Sequence, residues 1–413
     1  MKLSEELQAR GFVNQFSAES LSEILDGEKR TVYHGIDPTA DSAHAGNFVV
    51  WILLRHLADH GHNVIFLVGG GTGMIGDPKP DVERTLSAPE EVASRVVKLK
   101  AQAERLLGGR EIRFVNNYDW LGKIDLITFL RDIGKHFTVN ELIKKDAIAT
   151  RLSSEAGISY TEFAYPLLQA FDYLTLHREY GCDLQVGGSD QWGNILAGVD
   201  LIRRIEQQTA YALTVPLIID KATGKKFGKS EGNAVWLDAE KTSPYAFYQF
   251  WLNTSDESVI DFLKLFTFLP LQEIAAIERD FAANPGSRSA QRTLAYEVTA
   301  FVHGRENADM AARVSASLFG ETPFSALSEA EISILKDNAP HTELANGSAI
   351  IDALIAAELA ASKREARTFL ESGAVLVNGE KVDDPALTLE KERFGETLLL
   401  KRGKKLVCVI TLQ

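Results

Sequence analysis

Between about residue 31 and residue 220, short β-branched or apolar runs alternate with longer stretches of helical period. The runs 31–36, 63–68, 111–115, 183–186 and 213–219 read as strands. Strands alternating with helices predict βαβ units and hence an α/β region with a parallel sheet. From about 240 to 330 the period-2 signal gives way to segments such as SPYAFYQFWLN, SVIDFLKLFTFL, LQEIAAIERDF and SAQRTLAYEVTAFVHG. These read as amphipathic helices. The polar stretch KDNAPHTELANGS reads as a linker. Beyond it, Ile351, Leu354, Ile355 and Leu359 form one helical face, and Asn378-Gly379 sits between two short strand-like runs, a hairpin signal. The expected division is 1–235 α/β, 236–335 helical, 336–348 linker and 349–413 a small α+β unit.

The 413 residues are 45% hydrophobic and 24% charged, which excludes a disordered or fibrous chain. The apolar run 48–54 is far shorter than the ~18 residues a membrane span needs. Cys182 and Cys408 lie far apart, so neither a disulfide framework nor a cysteine-based zinc site is expected. The N-terminal MKLSEELQAR lacks the apolar core of a signal peptide, and a cytoplasmic location is expected. The net charge of −13 argues against a general nucleic-acid binder. It is unevenly spread: from Asn346 onward ten basic residues balance ten acidic ones, so the deficit lies in the first 345 residues. An acidic body with a locally basic tail remains compatible with RNA.

Each expected strand is followed by a loop rich in glycine and polar residues: GIDPTADSAHAGN, GGGTGMIGDP, NNYDW, GGSDQWGN and TGKKFGKSEGN. Any one of them is equally well a surface turn. Five at the carboxyl ends of one parallel sheet would converge on one crevice, where ligands bind in such sheets. In the first loop Thr39 and His44 precede a helix start whose free N–H groups suit phosphate oxygens. Lys226 and Lys229 supply cations for the same anion. Tyr165, Gln169 and Asp172 stand at i, i+4 and i+7, hence on one helical face. Three polar groups in line within EFAYPLLQAFDYL are costly to bury without partners.

On these residues the chain resembles the class I aminoacyl-tRNA synthetases. HAGN is similar to their HIGH signature, with Ala45 and Asn47 departing from it. KFGKS is similar to KMSKS, with Phe227 and Gly228 departing. YHGIDPTADS, GGGTGMIGDP, NNYDW, TEFAYPLLQAFDYL and GGSDQWGN resemble the bacterial tyrosyl branch, and the resemblance extends over essentially the whole chain. It implies a Rossmann-type catalytic domain, an α-helical anticodon-binding domain and a small RNA-binding module like one in a small-subunit ribosomal protein.

The resemblance implies roles as well. Tyr33 and Asp172 would bind the substrate phenol; Asp77, Tyr165 and Gln169 the ammonium; Gln185 and Gln191 would lie near the carboxylate and amine. Asp37, Gly46, Asn47, Gly188, Asp190, Lys229 and Ser230 would bind ATP, with Gly188 and Asp190 at the ribose. Thr39, His44, Lys226 and Lys229 would stabilise the leaving pyrophosphate; Lys79 and Arg84 flank the second loop, but the basic positions of DPKPDVER do not align with the family's and no role is carried over to them. Mg²⁺ would arrive with the ATP phosphates, with no separate protein metal site. Lys363, Arg364, Arg367 and Lys381 would meet tRNA(Tyr) phosphates. A homodimer is implied too. Three other readings compete. A tryptophanyl relative would lack the tail module and would not need the Tyr33/Asp172 pair. A catalytically silent RNA-binding relative would not need His44 or Lys229. A small-molecule nucleotidyltransferase would need neither the helical region nor the tail.

Overall fold

A computed structural model describes residues 1–79, 82–154, 157–219, 221, 224, 229–230, 233–318, 323–403 and 406–413. The chain forms two compact units: Met1–Lys241 with Thr254–Ala290, and Thr242–Asn253 with Gln291–Gln413.

The first unit is built on strands β1 (Gln15–Phe16), β2 (Thr31–Ile36), β3 (Asn63–Val68), β4 (Ile112–Asn116), β5 (Cys182–Gly188) and β6 (Tyr211–Val215). Their order is β1-β6-β5-β2-β3-β4, and only β1 runs antiparallel. The expected strands at 31–36 and 63–68 form as read, pairing from Thr31↔Asn63 to Ile36↔Val68. The last strand departs from its expected 213–219. It starts at Tyr211 and stops at Val215, because Pro216 has no N–H to donate to the ladder. Leu217 and Ile219, apolar in the sequence, lie exposed.

Helix Ala45–Asp59 buries Phe48, Trp51, Ile52 and Leu53. Each such side chain contributes roughly 1.5–3 kcal/mol relative to exposure. Helix Tyr160–Tyr180 packs on helix Trp192–Glu206, with Tyr173, Leu174 and Leu176 meeting Leu201 and Ile202 in one cluster with Tyr33 and Ile65. Gly198 allows that approach: a Cβ there would lie 2.8 Å from the Tyr173 ring. Pro166 is the seventh residue of its helix, past the first turn, so the helix forgoes one backbone bond.

The expected boundary at 235 does not coincide with the compact units. Helices Val259–Phe266 and Leu271–Ala283 group with the first unit. Arg10 donates to the carbonyls of Lys264, Thr267 and Leu269, and Phe266 stacks on Phe48. Amphipathic period shows that a helix has a buried face, not what covers it.

The second unit holds helices Pro244–Leu252, Arg305–Leu318 and Glu329–Asn338, and helix Ser289–His303 from Gln291 onward. After a two-residue pair within the first unit, β7 (Lys229–Ser230) and β8 (Asn233–Ala234), the remaining strands belong here. They are β9 (His341–Leu344), β10 (Ser348–Ala349), β11 (Val375–Val377), β12 (Glu380–Val382), β13 (Thr388–Leu389), β14 (Thr397–Arg402) and β15 (Leu406–Leu412). The sheet order is β12-β11-β14-β15-β9. The expected hairpin forms between β11 and β12, with Asn378 and Gly379 at φ 51° and 90°. The expected linker is partly structured: β9 pairs in parallel with β15, Val409↔His341 to Leu412↔Leu344. HTEL is too short and polar to announce a strand; only Thr342 and Leu344 are half-buried.

Candidate active site

All five parallel strands present their carboxyl ends at one edge, and the order reverses between β2 and β5. That switch point is where such sheets bind ligands. A cavity of about 420 Å³ opens there. Thr39, His44, Gly46 and Asn47 line it from the β2 side, Gly188, Asp190 and Gln191 from the β5 side, with Asp37, Asp77, Arg84 and Tyr165 in its wall.

Buried polar groups of β2, β5 and helix Tyr160–Tyr180, outside the cavity lining itself, are incompletely satisfied. Tyr33 is 1% exposed and its hydroxyl has no partner. Asp172, also buried, accepts from Trp120 Nε1 at 2.7 Å and Asn117 Nδ2 at 2.9 Å. Burial pushes the Asp172 carboxyl up to about 7 against the pull of those two donors. Gln169 Oε1 and Gln185 Oε1 are buried without partners as well. An unsatisfied buried polar atom costs ~1–3 kcal/mol, and three of them belong to residues expected to bind an amino acid.

Asp37 accepts from Tyr165 Oη at 2.8 Å and Thr72 Oγ1 at 2.6 Å. Burial raises it to about 6 despite both bonds. Asp77 accepts from Gln191 Nε2 at 2.9 Å and Asn194 Nδ2 at 3.1 Å, and burial raises its carboxyl too. The expected ammonium set of Asp77, Tyr165 and Gln169 is therefore divided in the free protein: Tyr165 pairs with Asp37, and Asp77 with two amides.

Asn117, Trp120 and Thr72 were not singled out by sequence reasoning. Asn117 is fully buried; it also donates to Thr72 Oγ1 at 2.8 Å and accepts from the Gly71 N–H at 2.7 Å. It thus ties the second and third loops to Asp172. An asparagine pair followed by tryptophan directly after a strand was the available signal.

His44 caps the helix that begins at Ala45. Its Nδ1 accepts from the Gly46 N–H at 3.0 Å, and its own N–H donates to Asn47 Oδ1 at 3.2 Å. With Nδ1 used as an acceptor, the neutral ring carries its proton on Nε2. The segment after β8 is fastened here: Ala45 N–H donates to Val235 O at 2.8 Å, and Leu237 N–H to Ala43 O at 2.9 Å. The His44 and Trp236 rings meet edge-on at 6.1 Å. Asp41 pairs with Lys241 at 2.7 Å and Lys98 at 3.1 Å, and those two ammonium groups hold its carboxyl down at about 2. Lys226 lies outside the described residues. Lys229 and Ser230 are described by backbone alone, as β7.

His34 is accounted for structurally. It is buried in β2, donates from Nδ1 to the Val186 carbonyl at 3.2 Å, and is held down to about 4 by burial. A second cavity of about 960 Å³ borders Asp77 and Asp190 and carries Lys144, Lys145, Arg204 and Trp192. Burial lowers the Lys145 ammonium to about 8, and it donates to the Gly193 carbonyl.

In the second unit Lys363, Arg364 and Arg367 are exposed on helix Lys363–Glu371, and Lys381 is exposed in β12. Lys363 pairs with Asp352 at 2.8 Å. Gly373 sits at φ 65°, which side chains rarely adopt, with the end of the Lys381 side chain lying over it. Among the described residues no group of three His, Cys, Asp or Glu could hold a metal ion, and no helix is long and apolar enough to cross a membrane.

Residues 25–320 match the family model described as tRNA synthetases class I (W and Y). Residues 331–410 match the Tyrosine–tRNA ligase SYY-like C-terminal domain. The Tyrosine–tRNA ligase of Chromobacterium violaceum is 47% identical over 420 residues, covering 100% of this chain and 99% of its own length. Tyrosine–tRNA ligase 2 of Enterococcus faecalis is 48% identical over 411 residues, covering 97% of each chain. Among solved structures, a C-terminally truncated mitochondrial tyrosyl-tRNA synthetase from Aspergillus nidulans superposes with a TM-score of 0.70 at 30% identity, over 77% of this chain and 94% of that one. A tryptophanyl-tRNA synthetase from Encephalitozoon cuniculi shares the fold at a TM-score of 0.55 and 15% identity, over 75% of this chain and 88% of that one. The model that spans the sheet and its loops, and relatives matched end to end, establish that the chain belongs to the class I tRNA synthetases of the W and Y family.

Proposed function

We infer that the chain is a tyrosine–tRNA ligase: it activates L-tyrosine with ATP and passes the tyrosyl group to the 3′-terminal adenosine of tRNA(Tyr). The family assignment and the full-length relatives support the reaction. One structural observation carries the choice of amino acid: the unpartnered Tyr33 hydroxyl, in the same cluster of buried groups as the Asp172 carboxylate. A phenol entering there accepts from Tyr33 and donates to Asp172. A site built around a hydroxyl rejects an analogue lacking it, since its buried groups are then left unpaired; tyrosyl enzymes of this family are the standard illustration. An indole offers one donor and no acceptor, which leaves the Tyr33 hydroxyl unmet.

In the first step a carboxylate oxygen of tyrosine attacks the α-phosphorus of ATP, and pyrophosphate leaves. The nucleophile is already ionised, so no general base is required. The rate comes from positioning and from stabilising charge on the leaving group. Gln169 and Gln185 offer unmet acceptor oxygens to the substrate ammonium, with Asp77 and Tyr165 beside them. Gly188 and Asp190 face the ribose; Asp37 holds Tyr165 in place; Gly46 and Asn47 line the cavity at a helix N-terminus whose dipole favours an anion, while their own N–H groups are held by the His44 ring and carbonyl. His44, with Nδ1 engaged, presents the Nε2 proton to a phosphate oxygen, and Thr39, Lys226, Lys229 and Ser230 complete the anion site. Mg²⁺ belongs with the nucleotide as MgATP, consistent with an ion that is usually held by phosphates and water rather than by a protein cage.

The larger cavity, with Lys144, Lys145, Arg204 and Trp192, suits the tRNA end in the second step, and Lys363, Arg364, Arg367 and Lys381 suit phosphates elsewhere on the tRNA. A homodimer is supported by Leu126, Ile127 and Val139, each more than 60% exposed; sedimentation at micromolar concentration tests it. A cytoplasmic location accords with this reaction. Tyrosine-dependent ATP–pyrophosphate exchange tests the function as a whole.

A further inference from the structure

Arg151 and Glu162 are the most deeply buried ion pair among the described residues. Their side chains are 1% and 2% exposed and 3.1 Å apart. Neither carries a role in the reaction derived above. Burying two charges is expensive, and apolar residues of similar volume are often as stable or more so. The pair therefore calls for an explanation other than stability.

Its hydrogen bonds supply one. Arg151 Nη1 donates to the Val82 carbonyl at 2.7 Å and to the Lys79 carbonyl at 3.2 Å; its Nε donates to the Gly157 carbonyl at 2.8 Å. Glu162 Oε1 accepts from the Arg84 N–H at 2.9 Å. One ion pair thus grips the chain after Asp77 at three backbone points: two carbonyls and an N–H. The gripped segment ends at Arg84, whose guanidinium lines the ATP cavity and donates to the Asp77 carbonyl at 2.8 Å. The charge of Arg84 acts on both Asp37 and Asp77. The other end of the grip is the first turn of helix Tyr160–Tyr180. Glu162 lies 3, 7 and 10 positions before Tyr165, Gln169 and Asp172.

We propose that the Arg151–Glu162 pair is a positioning device for adenylate formation, fixing Arg84 in the ATP cavity relative to the helix that binds tyrosine. A guanidinium fork suits the task, since its rigid donors reach several carbonyls at once. Misplacing a charged group by about 1 Å is enough to cost up to ~10²-fold in rate. The proposal rests on the adenylate-forming reaction proposed above.

The test compares the full-length parent with the double variant Arg151→Met/Glu162→Leu, which removes both charges and leaves neither unpaired. Thermal unfolding reports folding, single-turnover quench with tyrosine and MgATP reports adenylate formation, and equilibrium dialysis reports tyrosine affinity. The expected double variant is folded, binds tyrosine within about threefold of the parent, and forms adenylate at least about tenfold more slowly. Arg84→Ala is expected to slow the parent more than it slows the double variant, because groups acting as one unit are not additive. A folded double variant within about twofold of the parental rate overturns the proposal, as does an equal effect of Arg84→Ala in both backgrounds. If the double variant does not fold, Arg151→Lys decides. It keeps a charge opposite Glu162 but cannot span the same carbonyls, and a parental rate in it overturns the proposal. A parent without tyrosine-dependent exchange would instead refute the underlying reaction.

Discussion

Replacing Asp172 by asparagine keeps the volume and shape of the side chain and removes its charge. In the parent, both carboxylate oxygens accept, from Trp120 at 2.7 Å and Asn117 at 2.9 Å. An amide keeps one acceptor and turns its NH₂ toward the other donor or toward the substrate phenol. The clash with Asn117 or Trp120 is borne by the free enzyme as well, so it cancels from substrate use. What remains is loss of a charged acceptor for the phenol proton, ~1.5–3 kcal/mol for a hydrogen bond to a charged group. At about 1.4 kcal/mol per decade this lowers kcat/KM for tyrosine by ~10–10²-fold. Phenylalanine has no proton to donate, so its kcat/KM should stay within about threefold. The assay is ATP–pyrophosphate exchange with each amino acid at saturating ATP. A tyrosine kcat/KM within threefold of the parent, or a parallel fall for phenylalanine, refutes the phenol-binding role of Asp172.

Three more outcomes follow from the site. His44→Ala and Lys229→Ala should each lower the single-turnover rate of adenylate formation by ~10²–10³-fold, the usual cost of losing a charge-stabilising donor, with tyrosine affinity nearly unchanged; rates within twofold of the parent would make both ordinary surface groups. The Asp172 carboxyl is raised to about 7 in the folded protein, so its contribution to stability is full below about pH 4 and is lost as pH rises toward 7 and above. Urea unfolding of Asp172→Asn should therefore gain on the parent between pH 5 and pH 8, and a constant difference would contradict that linkage. Reversing Lys363, Arg364 and Arg367 to glutamate should leave pyrophosphate exchange intact, weaken tRNA charging, and flatten the salt dependence of tRNA affinity; unchanged charging would remove these residues from the RNA surface. Substitution is preferable to truncation at 346, which would leave β9 without its partner strand β15.

The parts of the fold legible in the sequence are those with a local cause. β3 is five consecutive apolar residues after Asn63 and β2 opens on Thr-Val-Tyr, and both form over the residues expected. Where a local rule competed with a run of hydrophobicity, the rule prevailed, as at Pro216. The helix at 259–266 was legible as a helix but not by partner, because Arg10 and Phe48, which meet its end, lie more than 200 residues away. The site followed the same division. The line of Tyr165, Gln169 and Asp172 is set by helical period. The hold of Asn117 and Trp120 on Asp172 depends on the end of β4 meeting a helix 50 residues further on. Nothing in the sequence around Glu162 and Arg151 marks them; their burial and the backbone they grip appear only in the packed structure.

Which amino acid drives the reversal of adenylate formation decides what the site was built to bind. Exchange of labelled pyrophosphate into ATP, measured with the full-length protein against each standard amino acid in turn, should occur with tyrosine and remain near background with phenylalanine and tryptophan. Exchange driven by tryptophan, or indifferent to the amino acid supplied, would contradict the assignment of Tyr33 and Asp172 and with it the proposed function.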